Sequence, residues 1–261
     1  WNEVQAVYVE RHHQRLLSLW GGTNAQFNTF TIPEAIKQQF IKLRNTAERP
    51  YKFTKEEPEP LEVAVGTPSC PIDLRPYQEI AVQQWLDNNC QGVFEMATGT
   101  GKTFTALAAA ANRFSVLKKI ALVILVPYLH LLEQWAQHCR RFGFQPILCS
   151  GSHENWHWKV ISRIQDLNAG FCNHLCLIAV HRTGSMERFL KSAANLKSED
   201  FMIVADEVHA LGAPELQRAL IPNAKMRLGL SATPRRWFDP AGTESIFNYF
   251  GKTCFEYPLN E

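Results

Sequence analysis

Short apolar runs recur along residues 72–261 and alternate with segments whose apolar residues fall at helical spacing. The longest run, Ile120 to Val126, is uniformly apolar, as expected for a parallel strand that is buried on both faces. We predict strands at 92–96, 120–126, 146–150, 174–180, 201–205, 226–230 and 253–257. Strands that alternate with helices predict an α/β fold, in which helices cover both faces of a parallel sheet.

The first quarter of the chain does not follow this alternation. Residues 1–44 offer a few short helix and strand patterns, which are too few to bury a core alone. We predict a small α+β appendage there, a partial accessory domain whose elements either pack on the following domain or form the tail of an upstream one. Residues 45–71 are rich in proline and glutamate and predict a linker, so that the compact domain occupies residues 72–261. Since the chain begins at Trp1 without a methionine, we expect it to be an excised fragment.

Composition sets limits on the class of protein. The chain has 261 residues, of which 46% are hydrophobic and 20% are charged, as is ordinary for a globular protein. The formal net charge of +2 is too small to argue for or against a nucleic-acid partner. No apolar run approaches the roughly 20 residues that span a bilayer, so we expect no membrane partner. The seven scattered cysteines predict reduced thiols in a cytoplasmic protein. The oligomeric state is not determined by the sequence.

A phosphate-binding loop is predicted between the strand 92–96 and a helix that begins at about Gly101. The segment reads Met96-Ala97-Thr98-Gly99-Thr100-Gly101-Lys102-Thr103. Its glycines let the backbone approach a phosphate closely, and the first N–H groups of the following helix point at the anion. Lys102 supplies a charge for the β- and γ-phosphates, and the Thr103 hydroxyl is suited to Mg²⁺. Met96 stands where the general pattern has glycine, which keeps a plain Gly/Thr turn as the alternative.

Two carboxylates follow another apolar strand directly. The run Phe201 to Ala205 leads into Asp206 and Glu207. Because ligands of an open α/β sheet sit at the carboxyl ends of its strands, this pair is predicted to share an edge with the phosphate loop. Asp206 is suited to hold Mg²⁺, and Glu207 is suited to orient or deprotonate an attacking water. The alternative is an exposed acidic pair at the start of a loop.

In this context the sequence resembles the superfamily-2 DExH-box helicases and translocases, in particular their restriction-enzyme and excision-repair branch. The resemblance rests on five segments that occur in the family's order. The Q motif resembles Leu74-Arg75-Pro76-Tyr77-Gln78, Walker A resembles residues 96–103, and motif Ia resembles Val126-Pro127 with Leu131, Gln134 and Trp135. The DExH box resembles Asp206-Glu207-Val208-His209, and motif III resembles Leu230-Ser231-Ala232-Thr233-Pro234. The resemblance covers about residues 72–261 and implies the N-terminal RecA-like lobe of a P-loop ATPase.

The resemblance also implies roles for individual residues. ATP would be bound by Arg75, Gln78, Thr98, Gly99, Thr100, Gly101, Lys102 and Thr103, with Arg75 and Gln78 at the adenine. Mg²⁺ would be held by Thr103 and Asp206, and the catalytic residues would be Lys102, Asp206 and Glu207. His209, Ser231 and Thr233 would couple the nucleotide state to the rest of the motor. The alternative for Gln78 is a surface glutamine, and the alternative for His209 is a core histidine. For Ser231 and Thr233 the alternative is a simple turn.

A nucleic-acid groove is implied on the same grounds. The family holds one strand by its phosphates, through loop N–H groups, hydroxyls and helix N-termini. The corresponding positions are Pro127, Tyr128, Gly151, Ser152, His181, Arg182 and Thr183. Contacts to phosphates predict little sequence preference. DNA is the expected partner and RNA is the alternative, while the polarity of movement and the choice between unwinding and translocation stay open.

The sequence stops soon after motif III, whereas the family's second RecA-like lobe follows that motif. The second lobe brings arginine fingers, which are worth roughly 10³–10⁵ in rate in related enzymes. We therefore expect the fragment to bind Mg·ATP but to hydrolyse it weakly. The expected function is an ATPase lobe that drives translocation on DNA or its unwinding, in restriction, repair or phage defence. The rival is a nucleotide-dependent DNA-binding switch or scaffold without productive hydrolysis.

Overall fold

The computed structural model describes residues 66–151 and 155–258, together with His13, Gln14, Leu17 and His153. The predicted accessory domain at 1–44 and most of the linker at 45–71 lie outside the described residues, so both domain boundaries stay predictions. Ser152, one of the predicted groove residues, also lies outside them.

Seven strands of the described domain form one sheet, and every neighbouring pair is parallel. The strands are β1 (Gln91–Met96), β2 (Ile120–Val126), β3 (Pro146–Cys149), β4 (His174–Val180), β5 (Phe201–Ala205), β6 (Met226–Ser231) and β7 (Thr253–Tyr257). Their order across the sheet is β3-β4-β2-β5-β6-β1-β7. The predicted α/β parallel sheet is confirmed, and each strand agrees with the structure to within one residue at either end.

Helices follow most of the strands. They are α1 (Pro76–Asp87), α2 (Lys102–Leu117), α3 (Leu129–Arg141), α4 (Trp156–Ala169), α5 (His181–Gly184), α6 (Glu187–Ala193) and α7 (Pro240–Phe250). Single 3₁₀ turns lie at Ser198–Asp200, Val208–Gly212 and Gln217–Ala219. The helix after the phosphate loop begins at Lys102, and Gly101 is its N-terminal capping residue.

The sheet separates two hydrophobic cores. Along β2, Leu122 and Ile124 pack with the apolar faces of α1, α2 and α3, while the alternate residues Val123 and Leu125 pack with α4, α6 and α7. Every residue of β2 is buried, at 0–1% exposure. Because successive side chains of a strand point to opposite faces, a strand covered on both sides must be apolar throughout.

This topology brings two groups of loops to the carboxyl edge of the sheet. The loop side consists of residues 96–103, 206–209 and 231–233, which follow the neighbouring strands β1, β5 and β6. The groove side consists of residues 127–135, 150–151 and 180–183, which follow β2, β3 and β4. β2 and β5 are adjacent, so the two sides meet between Val126 and Asp206.

Within the described residues, no helix is both long enough and apolar enough to cross a membrane.

Candidate functional site

The phosphate loop is shaped by its two glycines. Gly99 and Gly101 have φ angles of +81° and +83°, in the left-handed region that favours glycine. A Cβ at Gly101 would lie 2.6 Å from Nε2 of Gln78, whereas a Cβ at Gly99 would meet nothing within 4 Å. The Thr100 hydroxyl donates to the carbonyl of Ala97 at 2.6 Å and closes the turn. The loop therefore combines two left-handed glycines with a hydrogen-bonded turn, and it has open space at Gly99.

Lys102 lies at the base of this loop. Its Nζ donates to the carbonyls of Met96 at 2.8 Å and Ala97 at 3.2 Å. Burial lowers the pKa of Lys102 below its usual value, and the negative charges of Glu207 and Asp206 oppose that shift. The ammonium group is thus held within the loop and within the field of both carboxylates.

Asp206 is held by hydrogen bonds to its side chain and to its backbone. The indole Nε1–H of Trp135 donates to Oδ2 at 3.0 Å, and the backbone N–H of Glu207 donates to Oδ1 at 3.0 Å. The Asp206 N–H donates to the carbonyl of Leu125 on β2 at 2.8 Å, and the Asp206 carbonyl lies 3.0 Å from Nε2 of His181. The position and the plane of this carboxylate are therefore set by groups from three other segments.

Glu207 has a left-handed backbone, with φ +45° and ψ +53°. A residue with a Cβ pays roughly 1–2 kcal/mol for that conformation. The Glu207 carbonyl accepts from the N–H of Ala210 at 2.9 Å, which begins the 3₁₀ turn at Val208–Gly212. Such strain is typical of residues whose position is set by function rather than by stability.

Three polar groups meet beside the Glu207 carboxylate. His209 Nδ1 lies 3.1 Å from the Ser231 hydroxyl and 3.4 Å from Glu207 Oε2. The Ser231 hydroxyl donates to the same carboxylate oxygen at 3.4 Å. Thr233 joins through its backbone, because its N–H donates to Ser231 Oγ at 3.1 Å while the residue itself is exposed. The predicted coupling residues thus form one contact network, which Thr233 joins through its backbone N–H.

The predicted adenine residues lie next to the phosphate loop. Gln78 is 6% exposed, its Oε1 accepts from the backbone N–H of Arg75 at 3.0 Å, and its Nε2 lies 3.4 Å from the carbonyl of Gly101. Arg75 is exposed at the start of α1. In this arrangement the Gln78 amide joins α1 to the loop, and its pairing with adenine stays a prediction.

Tyr77 adds a contact that the motif comparison did not single out. Its hydroxyl donates to the carbonyl of Thr100 in the loop at 2.8 Å. Its ring stacks on that of Tyr257 at the end of β7, with the ring centroids 4.0 Å apart and the planes 15° from parallel. Tyr77 lies within the Q-motif segment Leu74–Gln78, but its ring partner Tyr257 is distant in the chain, so the sequence does not reveal the contact.

Arg236, which follows motif III, makes hydrogen bonds within the domain. Its Nη1 donates to the carbonyl of His209 at 2.7 Å, and its Nε donates to Asp239 Oδ2 at 2.7 Å. The side chain passes so close to Gly212 that a Cβ there would lie 2.4 Å from its Cδ. The residues that follow, Trp237 and Phe238, are 85% and 102% exposed. No feature of the sequence distinguishes Arg236, with its internal hydrogen bonds, from its neighbours.

On the groove side the predicted residues divide into exposed and buried groups. Tyr128 is 62% exposed, and Gly151 and Arg182 are also exposed, while Pro127 is partly buried. His181 and Thr183 are buried, at 2% and 3% exposure. Their side chains are therefore buried in this structure, and the role of these two residues in binding nucleic acid stays a prediction. His181 contacts the backbone of Asp206.

Burial also determines the charge of His181. It lowers the pKa of the imidazole to about 4, and hydrogen bonding to the backbone of Asp206 and Leu125 opposes this only in part. The ring is therefore neutral near neutral pH. With one N–H available, Nε2 is the donor to the Asp206 carbonyl.

The loop side has oxygen donors that suit a Mg²⁺ ion shared between the protein and a nucleotide. Among the described residues there is no group of three or more His, Cys, Asp or Glu side chains that could hold a metal ion. Mg²⁺ is commonly bound by one or two carboxylates together with substrate phosphates and water. The Asp206 carboxylate and the Thr103 hydroxyl are oxygen donors of the type that would hold such an ion if a nucleotide and water supplied its other ligands.

Comparison with known proteins identifies the family of the chain. The family model described as "Type III restriction enzyme, res subunit" matches residues 71–236. The chain is 28% identical over 167 residues to "DNA 3'-5' translocase XPB2" of Sulfurisphaera tokodaii, covering 63% of this chain and 32% of that protein. It is 32% identical over 180 residues to "Putative DNA 3'-5' helicase Rad25" of Haloarcula marismortui, covering 69% of this chain and 25% of that protein. The chain thus spans about a quarter to a third of these relatives.

A solved structure shares the fold. The ATP-dependent Type ISP restriction-modification enzyme LlaBIII bound to DNA superposes with a TM-score of 0.57 at 20% identity, covering 72% of this chain and 15% of that one. The family model spans the Q-motif segment, the phosphate loop, the DExH box and motif III. The chain therefore belongs to the family of the Type III restriction enzyme res subunit, and its described domain is the N-terminal RecA-like lobe of a superfamily-2 helicase.

Proposed function

We propose that this chain is the ATP-binding lobe of a DNA-dependent ATPase that translocates on DNA or unwinds it. The observation that carries the proposal is the convergence on the loop side: Lys102 lies in the field of Asp206 and Glu207, and Glu207 contacts the coupling pair His209 and Ser231. A domain that only bound a nucleotide would not require Glu207 in a strained backbone beside those groups.

The proposed chemistry assigns one task to each group. The loop N–H groups and Lys102 bind the β- and γ-phosphates, and Asp206 with Thr103 positions a nucleotide-bound Mg²⁺, which would neutralise charge that develops on the phosphates. Glu207 orients the attacking water and accepts its proton. The contacts of Ser231 and His209 with the Glu207 carboxylate then make its position depend on motif III.

DNA is proposed as the track. Both curated relatives carry DNA in their names, and the solved structure was bound to DNA. On this chain the exposed groove-side residues Tyr128, Gly151 and Arg182, with neighbouring backbone N–H groups, would hold one strand through its phosphates. Such contacts carry little base specificity. Restriction is the proposed setting by analogy with the named relatives, and repair and phage defence are the other settings that the motif resemblance implies.

Productive turnover is proposed to need a second RecA-like lobe. The relatives are three to four times longer than the part that this chain matches. Arginine fingers contributed from a partner lobe are worth roughly 10³–10⁵ in rate. We expect this chain by itself to bind Mg·ATP but to hydrolyse it roughly 10³- to 10⁵-fold more slowly than the parent protein.

The test is ATP hydrolysis by the parent protein with no nucleic acid, single-stranded DNA, duplex DNA or RNA. Lys102→Ala and Glu207→Gln serve as inactive controls. Strong stimulation by DNA that both variants lose supports the proposal, and stimulation by RNA alone would replace DNA as the track. Nucleotide binding without hydrolysis on any polymer would overturn the motor and favour a DNA-binding switch.

A further inference from the structure

The Asp206 carboxylate is fixed by a side chain from the groove side of the sheet. Trp135 is 2% exposed, and its indole N–H donates to Asp206 Oδ2 at 3.0 Å. The other oxygen, Oδ1, accepts the N–H of Glu207. With one donor on each oxygen, rotation of the carboxylate about its own axis would break both bonds. Each oxygen keeps a second lone pair for a metal-bound water.

The position of Trp135 links this carboxylate to the groove. Helix α3 begins at Leu129, directly after the exposed Tyr128, and Trp135 lies about two turns further on, or roughly 10 Å along the axis. Leu132 and Ala136 of the same helix are buried at 2% and 0% exposure, so α3 is seated firmly on the sheet. Trp135 therefore lies on one continuous helix with the exposed residues at the start of α3, which connects the indole donor to the groove side.

A second contact to Asp206 comes from the other groove-side helix. His181, the first residue of α5, donates from Nε2 to the Asp206 carbonyl. Two groove-side segments, after β2 and after β4, thus contact one residue of the loop side. The Trp135 bond is the one that reaches the carboxylate itself.

We infer that Trp135 is a positioning residue, whose indole N–H orients the Asp206 carboxylate toward a Mg²⁺-nucleotide and connects it to the groove-side start of α3. This inference rests on the proposed function for the identity of the nucleotide site. Groups that hydrogen-bond to metal ligands fix their orientation, and losing one lowers metal affinity about 10- to 100-fold.

The chain offers a matched control for this bond. Trp85 on α1 is 0% exposed, and its indole N–H donates to the carbonyl of Arg227 at 3.0 Å. Trp85→Phe and Trp135→Phe each remove one buried indole N–H and the same number of atoms. They differ in the acceptor, which is a backbone carbonyl in one case and the Asp206 carboxylate in the other.

The experiment measures binding of a fluorescent N-methylanthraniloyl-ATP to the full-length protein while Mg²⁺ is titrated. We expect Trp135→Phe to raise the Mg²⁺ concentration for half-maximal binding about tenfold. Affinity in the presence of chelator should stay unchanged, and Trp85→Phe should leave both quantities at wild-type values. Equal Mg²⁺ dependence in the two variants would overturn the inference, because only general destabilisation would remain.

A measurement on the wild-type protein covers the case in which Trp135→Phe does not fold. With isotope-labelled tryptophan, the indole N–H signal of Trp135 should shift when Mg²⁺ and the nucleotide are added together, and that of Trp85 should not. An unmoved Trp135 signal would contradict the inference. If the Mg²⁺ shift is found but the protein hydrolyses no ATP on any polymer, the proposed function fails and the positioning role stands.

Discussion

The loop side and the groove side of the same sheet edge hold their polar groups in different ways. On the loop side, Lys102, Asp206 and Glu207 each have a specific hydrogen-bond partner, and Glu207 adopts a strained backbone. On the groove side, Tyr128 and Arg182 are exposed to solvent. Chemistry at a phosphate needs groups held in one geometry, whereas contact with the phosphates of a polymer tolerates side chains that adjust.

The two sides are nevertheless not independent. His181 and Trp135 belong to the groove side by position, yet both donate to Asp206. A buried polar residue near a predicted surface can thus serve the neighbouring site. The difference between the two sides leads to predictions, of which the first has the largest expected effect and the last has the smallest.

The largest effect is expected at Glu207. Glu207→Gln keeps the size of the side chain but removes the base, so we expect kcat of the DNA-stimulated ATPase to fall about 10²- to 10⁴-fold with nucleotide binding retained. Steady-state hydrolysis and equilibrium binding of the nucleotide measure these quantities. Arg182→Ala is the groove-side counterpart and should keep kcat at saturating DNA while weakening DNA binding and reducing its dependence on salt. Equal loss of kcat in both variants would contradict the division between the sides.

The next effect is a pH dependence of stability that arises from His181. The pKa of His181 is about 4 in the folded protein, below its ordinary value of 6.5, because the ring is buried. Between these values the unfolded chain binds a proton that the folded chain does not. The stabilisation is therefore complete above about pH 6.5 and is lost as the pH falls toward 4, up to about 3 kcal/mol.

Denaturant unfolding at a series of pH values measures this dependence. His138 and His174 have pKa values that are also lowered by burial, so they contribute in the same direction. His181→Asn should flatten the pH dependence between pH 4 and about 6.5. An unchanged slope in that variant would assign the effect to the other two histidines.

A smaller effect separates two adjacent arginines. Arg236→Ala removes the bond to the His209 carbonyl and the packing against Gly212, and we expect a loss of about 2 kcal/mol in the free energy of unfolding. Arg235 is exposed, and Arg235→Ala should change stability by less than about 0.5 kcal/mol. Thermal or denaturant unfolding of the two variants measures these changes. Similar losses of stability in both variants would show that the contacts of Arg236 with His209 and Gly212 do not contribute to stability.

The smallest effect concerns the backbone of Glu207. Asparagine adopts the left-handed conformation more readily than glutamine does, so Glu207→Asn should be about 1 kcal/mol more stable than Glu207→Gln. Both variants should lack hydrolysis, so the comparison isolates the strain at this residue. Unfolding midpoints measured side by side test it, and equal midpoints would mean that the strain is relaxed elsewhere.

The sequence by itself determined the sheet, the loop side and the family. Uniform apolar runs such as Ile120–Val126 occur where a strand is covered on both faces, and strand-to-loop junctions such as Ala205-Asp206 fix which residues reach the carboxyl edge. These are local properties, so they can be seen without knowing what packs against them. Lys102, Asp206 and Glu207 were found in this way.

Only the tertiary structure decided which polar residues serve the site from a distance. Trp135 contacts Asp206, Tyr77 stacks on Tyr257, and the buried His181 donates from Nε2 to the Asp206 carbonyl. Each contact joins segments that are far apart in the chain. Their proximity depends on the strand order, in which β2 pairs with both β4 and β5, and on helix seating. No local pattern of residues specifies such pairings, because they arise from the packing of the whole sheet.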